Sequence, residues 1–177
     1  PRKKRLYLYA GIAAGVLVAL HRLGLTSIFD VIYGSSAGAV AGAYFLSEQI
    51  PYGISMYYED LNNRKFIDLY KAPPIMNIDC LMDVIMHKKK LDAKAVYESP
   101  TKLVISATDI ESGIPHYFTN HNSVSLFSSL KASCALPIFY DKPVKINGNH
   151  YLDGGLINML PVAKAIEDGC TDILILL

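Results

Sequence analysis

The order of apolar and polar positions divides this chain into alternating short strands and helices. An apolar run at 6–8 reads as a strand, and a helical pattern follows over 13–20, bounded by His21 and Arg22 with Gly24 as its stop. Residues 28–33 form a strongly apolar strand that runs straight into Gly34-Ser35-Ser36-Ala37-Gly38, after which 37–48 is helical. The stretch 52–97 is rich in tyrosine and methionine and predicts two or three short helical pieces, broken at Pro73-Pro74 and solvated at Lys88-Lys89-Lys90. Residues 102–108 are a clear strand, with 114–118 as its partner across the Glu111-Ser112-Gly113 turn. A helix over 125–131 comes next. Strands at 144–146 and 150–152 flank Asn147-Gly148, a strong hairpin signal. A helix at 161–167 leads to a last strand at 172–177.

Strands alternating with helices predict an α/β fold of three layers, α/β/α, with a mainly parallel central sheet. Composition agrees: 51% hydrophobic and only 19% charged residues suit a sheet buried on both faces. The 177 residues fit one domain, 1–177, and no repeat or low-complexity tract divides them. A net charge of +1 gives no reason to expect a nucleic-acid partner. The cluster Arg2-Lys3-Lys4-Arg5 reads as a solvated lead-in to the first strand, with contact to an anionic membrane as the alternative. Cys80, Cys134 and Cys170 are widely spaced and read as buried small residues of a reducing compartment. No apolar run reaches the ~18 residues needed to span a bilayer. The expected location is therefore cytoplasmic or peripheral to a membrane, with upstream targeting left open. The chain opens on Pro1 and stops on an uncovered apolar strand, so both ends are expected to be incomplete.

Gly34-x-Ser36-x-Gly38 is a G-x-S-x-G pattern set between an apolar strand and a helix. A nucleophile needs that setting, because the tight turn lifts the hydroxyl clear of the sheet and the flanking glycines remove colliding side chains. The helix N-terminus then presents backbone N–H groups, that of Ala37 among them, to a developing oxyanion. The alternatives are a tightly packed βα turn or a phosphate-binding loop, but a P-loop lysine and the G-x-G-x-x-G spacing are both missing.

The base is less constrained by residue pattern. No histidine follows Asp153, so a Ser–acid–His order would need an acid such as Asp109 ahead of His116, His121 or His150. Asp153-Gly154-Gly155 provides a different solution, a carboxylate at a strand end before a sharp turn, which would accept the serine proton directly. The same residues also describe an ordinary Asp-Gly turn. Taken alone, the pattern does not choose between these.

Taken together, the blocks resemble the patatin-like phospholipase family along most of the chain. Ala14-Gly15-Val16-Leu17-x-Ala19-Leu20 is similar to its first helix, and 29–39 to its nucleophile strand and turn. Ala107-Thr108-Asp109-x-x-Ser112-Gly113 and Ala132-Ser133-Cys134-Ala135-Leu136-Pro137 are similar to its middle blocks, and 151–161 to its acid motif. The resemblance implies a Ser–Asp dyad that cleaves acyl esters of phospholipids or related lipids without a metal or other cofactor. Ser36 would be the nucleophile and Asp153 its base, with Gly34, Gly38, Gly154 and Gly155 shaping the two turns. A peripheral membrane surface is the expected partner, with tyrosines and methionines between Tyr52 and Met86 as the lipid-facing cap. One feature departs from the family. Its glycine-rich oxyanion loop, G-G-G-x-[RK]-G, is replaced by Leu8-Tyr9-Ala10-Gly11-Ile12, leaving Gly11 as the oxyanion residue beside Ala37. The expectation is that the loop is incomplete here. The alternative is a catalytically weak domain that binds lipid or acts as a scaffold.

Overall fold

The computed structural model describes residues 6–10, 14–68, 70, 72–137, 139–140 and 142–176. Seven strands form one sheet: β1 (Leu6–Ala10), β2 (Phe29–Ser35), β3 (Lys102–Asp109), β4 (Pro115–Thr119), β5 (Val144–Ile146), β6 (Asn149–Asp153) and β7 (Asp172–Leu176). The helices are α1 (Ala14–Arg22), α2 (Ala37–Leu46), α3 (Ile50–Ile54), α4 (Met56–Glu59), α5 (Ile78–Asp83), α6 (Ala93–Glu98), α7 (Leu126–Ser133), α8 (Gly155–Asn158) and α9 (Val162–Glu167).

Strands β3, β2, β1 and β7 are parallel neighbours and make the centre of the sheet. Antiparallel strands extend it, with β4 and β6 on β3 and β5 on β6. Alternation along the central strands separates two cores. Ile32, Leu103, Ile105 and Ala107 face one way and pack with α2 through Ala39, Val40 and Ala43. Their neighbours Tyr33 and Val104 face the other way, against Ala165 of α9. Helices therefore cover both faces, as three layers require. Helix α2 is apolar around its whole circumference and buried from Gly38 to Leu46, so it lies inside the molecule.

The tyrosine- and methionine-rich stretch is mostly interior. Met56, Leu61, Ile78, Leu81, Met82, Val84 and Ile85 join the main core, while Tyr58, Tyr70 and Met86 point outward. The region expected to act as a lipid-facing cap is thus largely part of the packed layer beside α2. A π-helical turn over Val84–Lys88 continues α5. The hairpin at Asn147-Gly148 forms as its residues demand, with φ of 51° and 94° at the two turn positions. All three cysteines are free, Cys134 buried and Cys80 and Cys170 only half-buried.

Candidate active site

Strand β2 ends at Ser35 and helix α2 begins at Ala37, so Ser36 alone makes the turn. Its backbone has φ 53° and ψ −127°. A non-glycine residue held there costs about 1–3 kcal/mol, which the surrounding contacts must offset. Gly34 is what permits the turn: a Cβ at that position would lie 2.5 Å from Cα of Ala39. The helix thus folds back onto its own strand. Ser36 and Ala37 remain partly exposed at the bend while Gly34, Ser35 and Gly38 are buried.

Asp153 is the last residue of β6 and is 3% exposed. Its N–H donates to the Ala135 carbonyl at 3.0 Å, and its own carbonyl accepts the Thr108 hydroxyl at 2.8 Å. The Gly155 N–H donates to Oδ1 at 2.7 Å. Gly154 presses the turn against β3, since a Cβ there would come within 2.4 Å of the Ser106 carbonyl oxygen.

Strand pairing brings the two residues together. Ile105 pairs with Gly34 on one side and Phe118 on the other, and Ala107 pairs with Asp153 and His116. With β4 along one edge of β3, β2 and β6 must share the opposite edge. Strand β2 occupies that edge up to the pair Ser35–Ser106, and β6 takes over at Asp153–Ala107. The parallel strand and the antiparallel strand meet end to end, and Ser36 and Asp153 stand at the junction.

Burial pushes the Asp153 carboxyl above the ordinary carboxylate range, while hydrogen bonding from the Ser36 side chain and the Gly155 N–H pulls it part of the way back. Burial likewise pushes up the Cys134 thiol, assisted by the Asp153 charge and opposed by the Ser36 side chain. The site sets a part-exposed serine beside a buried carboxylate whose proton affinity is raised. A carboxylate of that kind can take a proton from a hydroxyl that attacks a carbonyl.

The remaining expected residues fall out as follows. Ala37 begins α2, and its N–H lies ahead of the first backbone bond of the helix, from Ala39 to Ser36 at 3.0 Å. The Ser36 N–H is already taken by the Ser133 hydroxyl at 2.8 Å. Gly11 and the Arg2–Arg5 cluster lie outside the described residues. Asp109 spends its carboxylate on its own turn, accepting the N–H groups of Glu111 and Ser112 at 2.9 Å each. His116 packs against both Phe118 and Tyr151, and His121 contacts the Ser99 carbonyl. Among the described residues no hydrogen bond joins a histidine to Ser36 or Asp153. Nor is any group of three or more His, Cys, Asp or Glu there arranged to hold a metal ion.

Two features escaped the sequence reading. Ser133 touches Ser36 across 97 positions, although its block was noted for its resemblance. Helix α8 follows directly on Asp153-Gly154 and exposes Leu156 and Ile157, with Met159 and Leu160 just beyond it. Among the described residues no helix is long and apolar enough to cross a membrane.

Comparison with known proteins bears on the family and the fold. The patatin-like phospholipase family profile matches residues 7–166. An uncharacterized protein of Escherichia coli, YjjU, is 27% identical over 171 residues, covering 92% of this chain and 47% of that protein. The crystal structure of VipD from Legionella pneumophila superposes with a TM-score of 0.64 at 14% identity, over 99% of this chain and 49% of that one. The chain thus spans about half the length of the relatives it matches.

Proposed function

The chain belongs to the patatin-like phospholipase family, a family of lipid acyl hydrolases, and from that premise we propose that it cleaves fatty-acyl esters of phospholipids or related lipids, with Ser36 as nucleophile and Asp153 as base. The observation that carries this reading is the strained, part-exposed Ser36 at a strand–helix turn, set by the β3 register at the junction where the buried Asp153 ends its own strand.

Asp153 accepts the Ser36 proton as Oγ attacks the ester carbonyl, giving a tetrahedral oxyanion. The Ala37 N–H, at the positive end of α2, stabilises that charge. With the Ser36 N–H held by Ser133, a second donor must come from elsewhere, and the segment around Gly11 is the source the family pattern implies. Collapse breaks the ester bond, and the departing alkoxide takes the proton back from Asp153. Water, deprotonated by Asp153, then attacks the acyl-Ser36 ester, releasing the fatty acid and returning the proton to Ser36. No metal or other cofactor enters this sequence. The exposed Leu156, Ile157, Met159 and Leu160 beside the Asp153 turn support a lipid surface as the place of action.

A second reading follows from the absence of the family's glycine-rich loop pattern at 8–12: a lipid-binding or scaffold domain with little turnover. Fluorophosphonate labelling of the full protein separates the two. A covalent adduct on Ser36, lost in Ser36→Ala, is expected, and no Ser36-dependent adduct would overturn the hydrolase.

A further inference from the structure

We propose that the tripeptide Ser133-Cys134-Ala135, at the end of α7, is a clamp that sets the reactive pair, with Ser133 as a positioning residue for Ser36. This rests on the hydrolase reading above. The Ser133 hydroxyl is fully buried and makes two hydrogen bonds that fix its direction. It donates to the Ser106 carbonyl at 2.6 Å and accepts from the Ser36 N–H at 2.8 Å. A hydroxyl has one proton. With that proton committed to β3, only lone pairs face Ser36, so the relay runs in one direction from the nucleophile's backbone into the sheet. Two residues further on, the Ala135 carbonyl accepts the Asp153 N–H at 3.0 Å.

One short segment therefore grips the backbone of both partners. Its anchor, Ser106, is the residue of β3 at which β2 gives way to β6. Three-point attachment explains how Ser36 is kept at φ 53°, a conformation that persists only where its surroundings over-determine it. Releasing the Ser36 N–H would let that peptide relax toward ordinary torsions and carry the hydroxyl away from Asp153. The groups that bind substrate would be left as they were. A displacement of about 1 Å at a reacting centre costs on the order of 10²-fold in rate.

The test is Ser133→Ala in the full protein, with Ser129→Ala as control. Ser129 lies one turn earlier on α7, is equally buried, and donates only to the Ser125 carbonyl at 3.2 Å. Steady-state hydrolysis of a soluble p-nitrophenyl ester and the rate of fluorophosphonate labelling are measured for wild type and both variants. For Ser133→Ala, kcat and the labelling rate should fall by about 10–100-fold with KM little changed. Ser129→Ala should keep wild-type kinetics at a similar loss of stability. Should Ser133→Ala not fold, Ser133→Cys keeps the size and a weak acceptor and should show an intermediate loss of kcat. Wild-type kcat in a folded Ser133 variant, or equal losses in both serine variants, would overturn the clamp. A wild-type protein without Ser36-dependent labelling would instead overturn the hydrolase reading, so the two failures are distinguishable.

Discussion

Gly154→Ala tests the proposed mechanism through sterics alone. Gly154 has φ −65° and ψ −25°, torsions that alanine adopts freely, so the substitution carries no conformational strain. Its added methyl, however, would sit 2.4 Å from the Ser106 carbonyl oxygen, 2.6 Å from the carbonyl carbon and 2.8 Å from the Ser106 hydroxyl. That is about 1 Å inside ordinary contact. Ser106 cannot retreat, because it is paired with both Ser35 and Tyr117 and receives the Ser133 hydrogen bond. The turn must move instead, and it carries Asp153 with it. Overpacking of this kind costs about 1–3 kcal/mol. The accompanying shift of the base should cost on the order of 10²-fold in kcat. Gly113→Ala is the matched comparison. There φ is 69° with nothing within 4 Å of the new methyl, so the cost is torsional, about 1–2 kcal/mol, and remote from the site. Denaturant unfolding and initial rates on a soluble ester should show similar losses of stability, with loss of rate in Gly154→Ala alone. A Gly154→Ala protein with near wild-type turnover would refute the claim that the close approach of this turn to β3 sets the base.

Asp153→Asn should abolish Ser36 labelling while raising stability at neutral pH, since burial holds the carboxyl above its ordinary pKa and its ionised form is disfavoured in the fold. The sign follows from proton binding: between the ordinary and the raised pKa the native state binds more protons, so stability falls as pH rises through that window. The advantage of asparagine should therefore vanish below the ordinary carboxylate pKa, as thermal unfolding against pH would reveal. In the wild type the acid limb of activity should lie above the ordinary carboxylate range and survive replacement of each histidine. Ile157→Asp with Met159→Asp should reduce hydrolysis of phospholipid vesicles severalfold while leaving a soluble ester unaffected. Equal loss on both substrates would place these residues in folding and not at a lipid surface.

The parts of this molecule that were legible in its sequence are those governed by local rules. The apolar run into Gly34-x-Ser36-x-Gly38 became a strand, a one-residue turn and a helix, because backbone sterics at Gly34 leave little else. Asn147-Gly148 supplied both positive φ values of a hairpin turn. Strand β4 paired with β3 across the predicted turn. What stayed hidden depends on tertiary approach. Helix α8 spans four residues, too few for a helical period to show, and it opens on the second of two glycines that read as a turn. Ser133 sits in a recognisable block, yet its meaning lies in a bond to a residue 97 positions away. The apolar residues between Tyr52 and Met86 suggested a lipid contact because composition does not distinguish a face that meets lipid from one that meets α2.

The end-to-end meeting of β2 and β6 along β3 has a consequence for how this site can vary. The separation of serine and aspartate is counted in whole residues of β3 and is not set by the length of any loop. A slip of either strand by one residue would turn its terminal side chain to the opposite face of the sheet and break the pair outright. Insertions in the connections between these strands, outside the Ser36 turn with α2 and the end of α7, should leave the chemistry untouched, whereas a single insertion within β2, β3 or β6 should end it.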